Sequence, residues 1–182
     1  KPIVATVTVT PTFTDGGISC TGPEETFEIT VNPTPVITDK EAEICSGEPF
    51  EVEPENVGGA SGNDIVPEGT SYSWTIPNPN PNLNATADNG TIITQTLNNT
   101  SNTVQSITYL VTPTSGDTGN CVGEPFQVTV TVNPTPVIED KTPDPICSGE
   151  TFSVEPINGV DGDIVPDETN ETNYTWTVAD NL

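Results

Sequence analysis

The chain has 182 residues, of which 27 are Asp or Glu and only 3 are Lys, with no Arg and no His, so its formal net charge is −24. This charge repels a phosphate backbone and an anionic membrane surface, which argues against nucleic-acid and membrane-surface partners. No apolar run of about 20 residues occurs, which excludes membrane insertion of this segment.

The sequence repeats itself. Residues 30–37, Thr-Val-Asn-Pro-Thr-Pro-Val-Ile, recur 101 residues later as residues 131–138, and Ile-Cys-Ser-Gly-Glu occurs at both 44–48 and 146–150. Such a period, built from short strand-like segments, indicates tandem copies of one module of about 100 residues. We predict the C-terminal part of a preceding repeat at 1–33, a complete repeat at 34–134, and the N-terminal part of a following repeat at 135–182.

The predicted elements are all strands, because apolar residues alternate with Thr and no helical periodicity occurs. In the complete repeat, strands are expected near 35–38, 49–53, 72–76, 85–87, 90–97, 104–112 and 124–132. An acidic loop covers 58–69. The Pro/Asn run at 77–82 should lie outside the ladders, because proline has no amide donor. Matched strands are expected at 27–31 and 152–155. This spacing indicates a β-sandwich.

Trp74 lies in the third predicted strand, and Trp176 is its counterpart in the following repeat. We interpret both as core residues that pack between the two sheets. The modules are joined by Asn-Pro-Thr-Pro at 32–35 and at 133–136. Alternating prolines favour extended polyproline-II geometry, so the sequence predicts a stiff rod of modules.

The four cysteines occupy repeat-equivalent positions, two per module: Cys20, Cys45, Cys121 and Cys147. The absence of His and of Cys-x-x-Cys gives a zinc site no support. We predict disulfides in an oxidising compartment. Two pairings remain open. One joins Cys45 to Cys121. The other, favoured because the two cysteine-bearing loops should lie at opposite ends of the sandwich, joins neighbouring modules.

The acidic loops carry the candidate metal ligands Asp64, Asp161 and Asp163. Calcium takes six to eight oxygen ligands, often with several carboxylates among them, so calcium binding is one interpretation. The other is a solvated acidic turn in which Asp64 and Asp163 bond loop amides. No other cofactor is expected.

The motifs Pro-x-Pro-x-Ile, Ile-Cys-Ser-Gly-Glu, Asp-Ile-Val-Pro, Tyr-x-Trp-Thr and Val-Thr-Val-Asn-Pro follow one another in the chain. This combination resembles the PKD-like, immunoglobulin-like repeats of very large Bacteroidota surface proteins, including gliding-motility adhesins exported by type IX secretion. The resemblance implies an immunoglobulin-like sandwich, a cell-surface or extracellular location and an extended filament. It implies no catalytic residue.

The first functional interpretation is a structural repeat of a surface adhesin that holds an adhesive tip away from the cell. Its partners would be adjacent repeats of the same chain, with an external surface or glycan bound through other parts of the protein. No enzyme activity is expected, because the chain lacks His and Arg and its carboxylates have no evident acid/base partner. The alternatives are a loop-mediated, calcium-dependent glycan-binding module and a spacer in a secreted enzyme.

Overall fold

The computed structural model describes residues 2–55, 64–116, 119–166 and 172–178. These residues contain β-strands and no α-helix, which confirms the predicted all-β class. Four strands precede the complete repeat: β1 (Ile3–Val9), β2 (Thr12–Asp15), β3 (Ile18–Thr21) and β4 (Glu25–Val31). Seven form the repeat itself: β5 (Lys40–Cys45), β6 (Pro49–Val52), β7 (Ser71–Thr75), β8 (Asp88–Gly90), β9 (Ile93–Thr96), β10 (Gln105–Thr114) and β11 (Phe126–Asn133).

The strands β5 to β11 build two sheets. One has five strands in the order β5-β11-β10-β7-β8, and the other pairs β6 with β9. The pairing of β5 with β11 is parallel, whereas all the other pairs are antiparallel. Two sheets that enclose a shared apolar core form the predicted immunoglobulin-like sandwich.

The core follows from the alternation along β10 and β11. Ile107, Tyr109 and Val111 are buried while the residues between them are more exposed, as a period of two requires. The rings of Phe50 on the small sheet and Tyr109 on the large sheet lie 5.4 Å apart. Among the described residues, the fifteen buried side chains of the hydrophobic core lie between Ile37 and Val132. Residues 34–134 therefore enclose a hydrophobic core.

Two of the strands expected between residues 34 and 134 differ in the structure, and one strand was not expected. The strand expected near residues 35–38 is only an isolated bridge between Val36 and Ile65, and the first strand of the sandwich is β5 instead. The strand β5 was missed because Glu41 and Glu43 alternate with only two apolar residues, Ala42 and Ile44, which are half-buried on the same face as Lys40. Charged side chains of this kind are common on edge strands, where they discourage pairing with other chains. The strand expected near 85–87 begins later, as β8.

The flanking segments have exposed apolar surface. The strands β1 and β4 pair with each other, and every residue of β4 is exposed. The expected strand at 152–155 does not form, and the described part of 135–178 contains only an isolated bridge between Val137 and Ile164. Residues 56–63 of the acidic loop lie outside the described residues.

Candidate functional site: the two ends of the complete repeat

We call the end of the complete repeat at which residues 32–36 join it the upstream end, and the end at which residues 133–136 leave it the downstream end. The upstream end is organised by Asp64, which is 5% exposed. Its Oδ1 accepts hydrogen bonds from the Thr38 amide at 2.8 Å and from the Thr38 hydroxyl at 2.9 Å. Its Oδ2 lies 2.5 Å from Lys40 Nζ. Asp64 thus ties the end of the acidic loop to Thr38 and to Lys40 at the start of β5.

The electrostatics of this cluster favour the ionised carboxylate. Burial raises the pKa of Asp64, but the Lys40 ammonium and the two Thr38 donors together outweigh burial, and the pKa is lowered overall. The side chain of Asp64 is only 3% exposed, whereas that of Lys40 is 27% exposed. The carboxylate is therefore neutralised inside the fold while its cation remains in contact with water.

The same cluster recurs in the following repeat. Asp163 accepts the Glu139 amide at 3.0 Å and lies 2.8 Å from Lys141 Nζ. The Lys141 ammonium and this amide lower the pKa of Asp163. Two of the three lysines in the chain are therefore paired with repeat-equivalent aspartates. Sequence reasoning missed these lysines, although their 101-residue spacing in a chain so poor in cations was a usable signal.

The candidate calcium ligands occupy these same clusters. Asp64 and Asp163 each face a lysine, and the exposed Asp161 carboxylate lies 3.6 Å from Lys141 Nζ. Across residues 2–55, 64–116, 119–166 and 172–178, no three His, Cys, Asp or Glu side chains converge as a metal site would require. The chain's own ammonium groups supply the positive charge at these carboxylates, and calcium binding stays a prediction.

The upstream linker packs against the loop that leads into β11. A Cβ at Gly119 would clash with the Asn32 side chain, and one at Gly123 would clash with the Pro35 carbonyl oxygen. Pro35 is fully buried. Glycine at these two positions leaves room for the Asn32 side chain and the Pro35 backbone, so the loop packs residues 32–35 against the module.

Cys121 lies within this loop. Its amide donates to Ser115 Oγ at 2.9 Å, and its carbonyl accepts the Ser115 amide at 3.0 Å. The side chain is half-buried and carries a free thiol. Cys121 is thus held in a defined position beside the upstream linker.

The downstream linker is fixed by the turn that follows β5. Cys45 pairs with Asn133 in the β5–β11 register, the Ser46 amide donates to the Asn133 carbonyl at 2.8 Å, and the Thr135 hydroxyl donates to the Ser46 carbonyl at 3.0 Å. Gly47 adopts a φ of 90°, which favours glycine. The turn holds the departing chain against the module.

This turn also recurs. The Glu48 amide donates to the Cys45 carbonyl at 3.1 Å, and the Glu150 amide donates to the Cys147 carbonyl at 3.0 Å. Gly149 has a φ of 92°, close to that of Gly47. The Ile-Cys-Ser-Gly-Glu motif therefore encodes a local turn that forms even where no sheet supports it.

The structure places Cys45 and Cys121 at opposite ends of β11. Cys45 lies beside Asn133, the last residue of that strand, and Cys121 precedes Phe126, the first. At about 3.4 Å per residue the strand spans roughly 24 Å, whereas a disulfide needs Cα atoms within about 7 Å. A bond between Cys45 and Cys121 of one repeat is incompatible with this geometry. All four cysteines, Cys20 and Cys147 included, are free thiols here, and pairing between neighbours stays a prediction.

The two tryptophans have contrasting environments. Trp74 is 3% exposed and lies in the core beside β8 and β10, whereas Trp176 is 82% exposed. Within the described residues 135–166 and 172–178, no strand covers Trp176 as β8 and β10 flank Trp74. A core role for Trp176 is a prediction for a complete following module.

A family model described as PKD-like domain matches residues 42–136, slightly more than half of the chain. The match spans the sandwich from β5 to β11 and reaches the downstream linker. Among curated proteins, none matches the chain. No helix within the described residues has the length and apolar character needed to cross a membrane.

Proposed function

The chain belongs to the PKD-like domain family, and we propose that it is a segment of the stiff stalk of a large cell-surface adhesin. Domains of this family are structural or adhesion-type modules and are typically non-catalytic, which supports a mechanical role over a chemical one. In this proposal the modules stand end to end outside the cell and carry an adhesive region located elsewhere in the protein. We place this adhesin among the Bacteroidota surface proteins exported by type IX secretion, with gliding motility as its setting.

The proposed tandem organisation is a repeat end at 1–33, a complete repeat at 34–134 and a repeat start at 135–182. It is supported by equivalent strand registers. Ile3 faces Val31 in the β1–β4 pair, as Gln105 faces Val132 in the β10–β11 pair. The Lys–Asp cluster and the cysteine turn recur in the same way after residue 134.

Exposure of the β1–β4 pair supports the same organisation. Phe27, Ile29 and Val31 are 51%, 47% and 58% exposed, whereas their counterparts Val128, Val130 and Val132 are 0% exposed. In the complete repeat, the sheet formed by β6 and β9 helps to cover that face. We propose that the earlier strands of the preceding repeat cover β1 and β4 in the same manner.

The observation that carries the stalk proposal is the fixation of the linker at both ends. Residues 32–35 pack under the Gly119–Gly123 loop, and residues 133–135 are bonded to the turn after β5. Applied to one junction, these two sets of contacts leave no free residue in the Asn-Pro-Thr-Pro linker. A linker held along its whole length sets the angle between modules instead of acting as a swivel.

The charge and composition are consistent with an extended chain. A net charge of −24 makes neighbouring modules repel one another, which opposes folding back of the array and self-association. The chain has no His, the usual base that activates a serine or cysteine nucleophile in hydrolases. The fixed linker and the negative charge therefore favour a role as a spacer over a chemical role.

Small-angle X-ray scattering on arrays of one, two and three copies of residues 34–134 tests the proposal. A module with an eight-residue β11 and a four-residue linker should add about 40 Å to the maximum dimension per copy. We expect this increment to stay constant from the second to the third copy. The matched control replaces Pro134 and Pro35, the two linker prolines at each junction of the array, with Ser.

The control array should show a smaller and more dispersed maximum dimension, because the linker loses its fixed backbone geometry. Equal, compact dimensions for the native and control arrays would contradict a stiff stalk. A maximum dimension that failed to grow with copy number would contradict it as well.

A further inference from the structure

We propose that successive modules are joined by a disulfide between Cys45 of one module and the counterpart of Cys121 in the module that follows. This inference rests on the proposed tandem organisation, but it specifies a covalent site and its partner within the same chain. The bond would bridge each Asn-Pro-Thr-Pro linker. It would leave no complete pair within residues 1–182, because each of the four cysteines has its partner in a module outside them.

At the upstream end of a module, Cys121 lies close to the preceding linker. The side chain of Asn32, the first linker residue, lies against Gly119. Cys121 is two residues farther along the same loop, within about 7 Å of Gly119 along the chain. The loop is fixed by the hydrogen bond from the Gly123 amide to the Pro113 carbonyl, at 2.9 Å. The cysteine of the later module therefore sits beside the linker asparagine.

At the downstream end of a module, Cys45 lies close to the linker that follows. Asn133 is the repeat counterpart of Asn32, and it pairs with Cys45 across the parallel β5–β11 ladder. Neighbouring strands lie about 4.8 Å apart, so the Cα atoms of Cys45 and Asn133 are close. The cysteine of the earlier module therefore also sits beside the linker asparagine.

The same linker asparagine lies next to both cysteines of a junction. In a continuous array a single asparagine contacts the Cys45 strand of its own module and the Gly119 loop of the next. Both cysteines then lie within about 7 Å of groups that touch that asparagine, and disulfide Cα atoms are separated by about 4.4–6.8 Å. The alternative partner within the same repeat is roughly 24 Å away along β11.

Both thiols can be reached by an oxidant. Cys45 is exposed, and Cys121 is half-buried. Formation of the bond removes one hydrogen from each thiol, and the two electrons and two protons reduce a small-molecule or enzyme disulfide to two thiols. An exported chain meets such oxidants outside the reducing cytosol.

Two-copy arrays of residues 34–134 give a direct test, since the complete repeat holds its own core. In the test array only Cys45 of the first copy and Cys121 of the second remain, and the other two cysteines are replaced by C45S and C121S. One control keeps both cysteines in the first copy. The other keeps Cys121 in the first copy and Cys45 in the second.

Each array is equilibrated with oxidised and reduced glutathione, and its free thiols are counted by intact mass after alkylation. We expect the test array to fall from two free thiols to none while it remains monomeric, and both controls to keep two. Retention of both thiols in the test array, with a folded far-ultraviolet spectrum, would overturn the proposal. Loss of thiols in the same-copy control would overturn it equally.

The outcome is separable from that of the stalk proposal. Scattering on arrays in which all cysteines are serine measures stiffness without the bond. A flexible array that still forms the disulfide would refute the stiff linker alone. A stiff array with persistent thiols would refute the disulfide alone.

Discussion

Replacement of Asp64 by Asn should destabilise the complete repeat, because it removes the charge that compensates Lys40. Asn retains an oxygen for the Thr38 donors, which lie at 2.8 and 2.9 Å, but it loses the ion pair at 2.5 Å. Breaking a fully buried pair costs about 3–5 kcal/mol. Since the Lys40 side chain is 27% exposed and can be hydrated, we expect a smaller loss of about 2 kcal/mol.

The assay is urea unfolding of residues 34–134 followed by tryptophan fluorescence. The matched control is Glu51→Gln, an exposed charge on β6, which should change the free energy of unfolding by less than about 0.5 kcal/mol. For a domain of about 100 residues, a loss of 2 kcal/mol lowers the thermal midpoint by about 8–16 °C. Equal stabilities for Asp64→Asn and Glu51→Gln would show that the Asp64–Lys40 pair contributes nothing measurable to the free energy of unfolding.

The pH dependence gives an independent measure. The folded-state pKa of Asp64 lies below the ordinary value of 3.8, so the carboxylate contributes stability above that value and loses it as the pH falls through the folded-state pKa. The difference between the native repeat and Asp64→Asn should therefore be constant from about pH 5 to 8 and shrink below about pH 4. A difference that persisted unchanged at pH 2 would contradict the assignment.

Three further outcomes are expected. Burial, with the charges of Glu53 and Asp64, raises the pKa of Tyr72 to about 12. The neutral Tyr72 hydroxyl therefore contributes stability below pH 10, and this contribution should be lost between pH 10 and 12. Circular dichroism as a function of pH measures the loss. Phe50→Ala should lower the free energy of unfolding by about 3–5 kcal/mol, because Phe50 is buried in the core. Phe152→Ala, at the 66% exposed counterpart, should lower it by less than about 0.5 kcal/mol. Equal losses for the two variants in urea unfolding would argue against the described core. Calcium and chelator should leave the calorimetric midpoint of the whole chain unchanged, because lysines already occupy the acidic clusters, and a rise with calcium would restore the metal-site interpretation.

The sequence predicted those parts of the fold that depend on local pattern. The strands β10 and β11 were recognisable because apolar residues alternate over eight or more positions and the sandwich buries one face of each. The strand β5 was missed because its half-buried face carries Lys40 and only two apolar residues, Ala42 and Ile44. Its position depends on pairing with β11, which lies more than 80 residues away, and no local pattern encodes that partner.

The candidate site residues also differ in how far the sequence could predict them. Repeat equivalence was enough to single out Asp64 and Asp163, but not to reveal Lys40, whose pairing spans 24 residues of sequence and part of the acidic loop. The opposite placement of Cys45 and Cys121 followed from strand direction alone. The shared linker asparagine required coordinates, because it depends on a close approach at Gly119 that composition does not predict.

The parallel pairing of β5 with β11 has a consequence for a molecule pulled by its two ends. The chain enters near the start of β5 and leaves at the end of β11, so tension drags these two strands in opposite directions along their shared ladder. Six residue pairs, from Val128 with Lys40 to Asn133 with Cys45, are then loaded together in shear. Hydrogen bonds sheared as a group must break at once, whereas those of a hairpin pulled from its open end break one at a time. The first and last strands of each module thus act as a clamp that holds the sandwich shut under load.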